Sequence, residues 1–105
     1  MAVIASQKPS NMVHIIINNG SHESVGGQPT VMNDVDISSL AKSVGYPDAI
    51  SVENFDDLDK ALIEAKKRNE LTLIEVKTAI GARNDLGRPT TTAKNNKEMF
   101  MANII

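Results

Sequence analysis

Asn18 and Asn19 stand where an apolar run, Val-His-Ile-Ile-Ile, gives way to Gly20, and their amide oxygens suit a hard cation. Magnesium takes oxygen ligands in near-octahedral geometry and usually shares them with a phosphate. An Asn side-chain oxygen at the carboxyl end of a strand is such a ligand, and so is a backbone carbonyl exposed by the turn that follows. In open α/β sheets ligands collect beyond the carboxyl ends of the strands. The plainer reading is a tight turn, since Asn and Gly both tolerate positive φ. Further along, His22, Glu23 and Ser24 form a polar segment in which a His can act as acid, base or hydrogen-bond donor. The alternative there is a solvated loop. Arg83 and Arg88 lie in a glycine-containing stretch, GARNDLGRP. Guanidinium groups match phosphate-type oxyanions bidentately, although a salt bridge between Arg83 and Asp85 or a subunit contact would also account for them. Gly26 and Gly27 let a loop bend or let backbone amides approach a ligand. Gln28 and Thr30 are further hydrogen-bonding groups, and Lys77 is ambiguous. His14, inside the apolar run, reads as a satisfied core histidine.

The elements that must position these groups follow from the hydrophobic pattern. Residues 13–17 are β-branched and apolar, which predicts a strand buried on both faces. A loop rich in Gly, Ser and Asn follows over residues 19–27. Asp36 is placed to cap a helix running to about Val44, with Ile37, Leu40, Ala41 and Val44 at helical spacing, and Gly45 ends it. Residues 49–52 form a short strand. Asn54 begins the clearest helix, with Asp57 in a capping-box-like position. Phe55, Leu58, Ala61, Leu62 and Ala65 are its expected buried stripe. Acids near its start and bases near its end favour the helix dipole. Residues 71–76 are a third strand, residues 78–92 a loop and residues 95–102 a last helix, which the threonines at 90–92 can cap or lead into. A helix end at residues 1–6, stopped by Pro9, opens the chain. The alternation predicts an α/β fold, a three-layer sandwich with a parallel βαβ sheet.

The 105-residue chain fits one domain. Two Phe, one Tyr and no Trp leave an aliphatic core. The net charge of −2 comes from interspersed acids and bases. It argues against a nucleic-acid footprint, which needs a basic patch. No apolar stretch approaches the ~20 residues of a membrane span, and the N-terminus does not read as a signal peptide. With no cysteine there is no disulfide, thiolate nucleophile or Cys-type zinc site. A cytoplasmic location fits.

Two long blocks carry a family resemblance. NGSHESVGGQPT at residues 19–30 and EVKTAIGARNDLGRPTTT at residues 75–92, with NKEMFM after them, resemble the phosphonopyruvate decarboxylases, a family of thiamine-diphosphate enzymes, and more loosely the sulfopyruvate decarboxylases. The Asn18-Asn19 pair is similar to the close of the thiamine-diphosphate motif, which opens with Gly-Asp-Gly. The resemblance implies a partial thiamine-diphosphate-binding fold in which residues 1–105 are the distal part of a C-terminal diphosphate- and magnesium-binding domain. It implies Asn19 and the Ser21 carbonyl as metal ligands. Asn18, Asn19, Gly20, Ser21, Glu23 and Ser24 would line the cofactor, and Asn18 would also brace the turn. His22 would be the catalytic group, and Arg83 and Arg88 would hold the substrate's phosphonate. The implied reaction is a carboxy-lyase one: thiamine-diphosphate- and magnesium-dependent decarboxylation of a small 2-oxo acid, phosphonopyruvate, to phosphonoacetaldehyde and CO₂.

Gly-Asp-Gly does not occur in this sequence, nor does the second thiamine-binding domain that carries the family's activating glutamate. The expectation is therefore a fragment, inactive alone, that forms a homo-oligomer or associates with the missing thiamine-binding domain. The competing reading is a non-catalytic α/β module, or a subunit that assembles with a separately encoded partner.

Overall fold

The computed structural model describes residues 1–104. Its centre is a three-stranded parallel sheet in the order β1-β5-β4, with β1 at Val13–Asn18, β4 at Asp48–Val52 and β5 at Thr72–Lys77. A separate two-stranded antiparallel ribbon pairs β2, Ser21–His22, with β3, Gln28–Pro29. The described residues also form four α-helices, α1 at Ala2–Gln7, α2 at Ile37–Ser43, α3 at Phe55–Arg68 and α4 at Ala93–Ala102, and 3-10 turns at Glu23–Val25 and Val31–Asp34.

Strand register divides the side chains between two faces, because neighbours in a strand point to opposite sides. On one face, Ile16, Leu73 and Ala49 meet Ala5 of α1 and Ile37 and Ala41 of α2, with Tyr46 closing the cluster. On the other, Ile74 and Val52 meet Ala61 and Ala65 of α3. Helices cover both sides of the sheet, which makes the expected three-layer α/β sandwich.

The helix ends follow the capping chemistry read from the sequence. Asp36 accepts from Ser39 N at 2.9 Å at the start of α2. Asn54 accepts from Asp57 N at 2.9 Å and donates back to Asp57 Oδ2 at 2.8 Å at the start of α3. Thr92 accepts from Asn95 N at 3.2 Å, so α4 starts earlier than the expected residue 95.

Three expectations are corrected. β1 is an edge strand and is not buried on both faces: Val13, Ile15 and Ile17 are exposed, Ile17 to 66 %. α3 packs on β4 and β5, and the central β5 takes the doubly covered position. Phe55 is 84 % exposed and Leu62 also reaches solvent. Only Leu58, Ala61 and Ala65 of the predicted stripe face the sheet, since Phe55 is the first residue of the helix. Finally, the expected loop at residues 19–27 carries short regular elements, β2 and a 3-10 turn at Glu23–Val25.

Candidate functional site

The turn at the carboxyl end of β1 is held by both asparagines in different ways. Asn18 Oδ1 accepts from Gly20 N at 3.0 Å, and Asn18 Nδ2 donates to Glu75 Oε1 at 2.7 Å. Asn19 Oδ1 accepts from Ser21 N at 3.0 Å, and its Nδ2 donates to Glu23 Oε2 at 2.9 Å. Two successive Asx turns thus fold the backbone back on the strand it leaves. Gly20 is buried with φ 63, in the left-handed region that favours glycine. Its carbonyl accepts from Thr30 N at 2.9 Å, and Gly27 N donates to His22 O at 3.1 Å. Both bonds close residues 19–30 into a compact loop.

This loop stands at the carboxyl edge of the parallel sheet. Asn18 lies beside Lys77, the last residue of β5, and Thr78 N donates to Asn18 O at 2.9 Å. The segment carrying the arginines therefore leaves the sheet next to the asparagine turn. Along residues 78–92 the chain is exposed. Arg83 Nε pairs with Asp85 at 3.1 Å, and Lys77 pairs with Glu53 at 3.6 Å. Among the described residues, neither Arg83 nor Arg88 bonds to the turn.

The oxygen donors at the turn match a hard cation in kind. Asn19 Oδ1 has a second lone pair beyond its bond to Ser21 N. The Thr30 N–Gly20 O bond makes Ser21 and Pro29 a non-hydrogen-bonded pair, so the Ser21 carbonyl is not directed at Pro29. Ser21 Oγ is buried with no hydrogen-bond partner among the described residues. No cluster of three or more His, Cys, Asp or Glu side chains able to hold a metal occurs among the described residues. The oxygens of Asn19 and Ser21 are neutral, and the Glu23 carboxylate bonded to Asn19 is the acidic group beside them. His22, Glu23 and Ser24 are exposed beside them. Thr30 turns inward and caps a short 3-10 turn, accepting from Met32 N at 3.3 Å.

His14 is satisfied as expected, with Nδ1 2.8 Å from the Tyr46 hydroxyl. Burial raises the Tyr46 hydroxyl above its ordinary pKa. Sequence reasoning missed Glu75. This residue is 1 % exposed on the central strand, and it also accepts from the Ser51 hydroxyl of β4. An acid inside an apolar strand, LTLIEV, was the available signal, since buried carboxylates are rare unless hydrogen-bonded.

Comparison with known proteins gives the family of the chain. The family model described as "Thiamine pyrophosphate enzyme, C-terminal TPP binding domain" matches residues 1–76. A phosphonopyruvate decarboxylase of Streptomyces viridochromogenes is 33% identical over 102 residues, 97% of this chain and 26% of the relative. One from Streptomyces hygroscopicus is 38% identical over 89 residues, 85% of this chain and 22% of the relative. The chain spans about a quarter of the length of these curated relatives. No helix among the described residues is long and apolar enough to cross a membrane. With more than half of its length matched, and a parallel sheet whose carboxyl edge carries the asparagine turn, the chain belongs to the family of the C-terminal TPP binding domain of thiamine pyrophosphate enzymes.

Proposed function

We propose that this chain is the distal part of the diphosphate-binding domain of a cytoplasmic, thiamine-diphosphate- and magnesium-dependent 2-oxo acid decarboxylase, with phosphonopyruvate as substrate. The observation that carries the reading is the double Asx turn at the end of β1, which fixes Asn19 and Ser21 against each other at the carboxyl edge of the sheet. The names of the two relatives support the substrate.

Asn19 and Ser21 would hold magnesium. Asn18, Gly20, Glu23 and Ser24 would shape the surface against the cofactor's diphosphate. Bound thiamine diphosphate supplies the electron sink for loss of CO₂, a capacity no side chain has. His22, exposed on the same loop, would orient the substrate or move a proton near it. Arg83 and Arg88 would meet the phosphonate; for Arg83 this means exchanging Asp85 for the substrate. The chain alone would be inactive, because two neutral ligands do not complete a magnesium site.

The exposed edge of β1 supports association as well. Ile15 and Ile17 leave an apolar, unpaired strand, a template for pairing with another chain. Either a homo-oligomer or the remainder of a thiamine enzyme would cover it. The same edge is what favours the second reading, a non-catalytic module joined to a separate partner.

Millimolar thiamine diphosphate with manganese in place of magnesium tests the site. Paramagnetic broadening centred on the turn, strongest over residues 19–23 and weakening with distance from it, is expected. Uniform broadening, or none at the turn, would sink the metal assignment.

A further inference from the structure

Glu75 belongs to the central strand of a small sheet, with Ile16 on one side and Ser51 on the other in register. An apolar residue would fill that place in the core at least as well, since a buried polar group loses its hydration. What the carboxylate does instead is select. One of its oxygens is taken by Ser51, and the oxygen that faces Asn18 accepts, so Asn18 meets it with Nδ2. That contact, at 2.7 Å, fixes the rotation of the amide and aims Asn18 Oδ1 at Gly20 N, 3.0 Å away. The opposite amide orientation would set oxygen against carboxylate and NH₂ against N–H. Gly20 in turn is bonded to Thr30, so the choice made at Glu75 reaches the closure of the loop. Ser51 donates to the other carboxylate oxygen and anchors it to β4.

We propose that Glu75 is a positioning residue: it sets the amide orientation of Asn18 and so holds the Asn19–Ser21 turn in the form that presents its oxygens. The positioning itself stands on this chain's hydrogen bonds. Its use toward magnesium and diphosphate rests on the function proposed above.

The test uses the full chain labelled with ¹⁵N. In the unsubstituted protein, an Asn18 Nδ2 proton should exchange with solvent at least tenfold more slowly than those of Asn19, whose partner Glu23 is exposed. Equal rates would overturn the proposal, whether or not any variant folds. In Glu75→Leu, exchange at Gly20 N should rise at least tenfold relative to Ile74 N in the core. In Glu75→Gln it should stay within about twofold of the parent, because the Gln oxygen can still accept from Asn18 while its NH₂ donates to Ser51. A purely structural role predicts that Gly20 and Ile74 change together, and that result would overturn the inference. The manganese experiment separates the two claims. Slow Asn18 exchange without broadening at the turn would leave the positioning standing and remove the cofactor reading. Broadening with fast Asn18 exchange would do the reverse.

Discussion

Gly20 and Asn33 are so close that a methyl group on Gly20 would stand 2.6 Å from both Asn33 Nδ2 and Asn33 Oδ1. With φ at 63, Gly20 also holds a backbone conformation that costs an L-residue about 1–2 kcal/mol. Gly20→Ala should therefore lower stability by at least that amount and loosen residues 19–30. Urea unfolding gives the first quantity and amide exchange at Thr30 the second. An unchanged midpoint would mean that the turn relaxes without cost.

Loss of the α3 cap should be felt globally. Asn54 satisfies Asp57 N at 2.9 Å, and replacing such a cap with Ala costs about 1 kcal/mol. Asn54→Ala should shift the urea midpoint accordingly, with the slope of the transition preserved. Asn54→Ser should recover most of the difference.

Acid stability should depend on Asp36. Hydrogen bonds from Ser39 and Ser38 hold its carboxyl well below the ordinary 3.8. A depressed folded-state value means that the unfolded chain binds the proton first. The stabilisation is thus fully present above that ordinary value and is lost as pH falls below it. Asp57 and Glu64 are depressed through bonds from Asn54 and Lys67 and add to the same limb. Unfolding midpoints between pH 2.5 and 7 should fall on the acid side in the parent and fall less steeply in Asp36→Asn. Parallel curves would show that Asp36 does not contribute. Tyr46 acts in the opposite direction. Its raised folded-state value favours the protonated hydroxyl, so that stabilisation holds below about pH 10 and is lost at higher pH.

Purified chain with phosphonopyruvate, thiamine diphosphate and magnesium should form no aldehyde above the uncatalysed rate. Turnover would show that this chain by itself suffices for the reaction. In the manganese titration, Asn19→Ala should abolish broadening at the turn and Arg88→Ala should leave it intact. Equal effects would remove the division of labour between the turn and the arginine segment.

The apolar edge should associate. Sedimentation at high micromolar concentration should show a dimer or larger species, and a Lys at Ile15 or Ile17 should shift it toward monomer. A monomeric parent under those conditions would show that the exposed edge of β1 does not drive pairing.

Local signals already carried much of this protein. Asp36, Asn54 and the apolar spacing of Ala61 and Ala65 marked α2 and α3, because caps and helical periodicity act within a few residues. The join of strand to Asn18-Asn19-Gly20 marked the candidate turn for the same reason. Position within the sheet was not legible. Residues 13–17 and 71–76 are both short apolar runs, and nothing in either says which becomes the edge and which the centre. That was decided by where α1, α2 and α3 pack, which leaves Ile17 in solvent and encloses Leu73 and Ile74. Phe55 likewise belongs to the right helix but falls at its first turn, away from the sheet. The role of Glu75 is wholly tertiary. Its partners are 57 residues away in Asn18 and 24 away in Ser51. Only the pairing of three parallel strands brings two donors to one buried carboxylate.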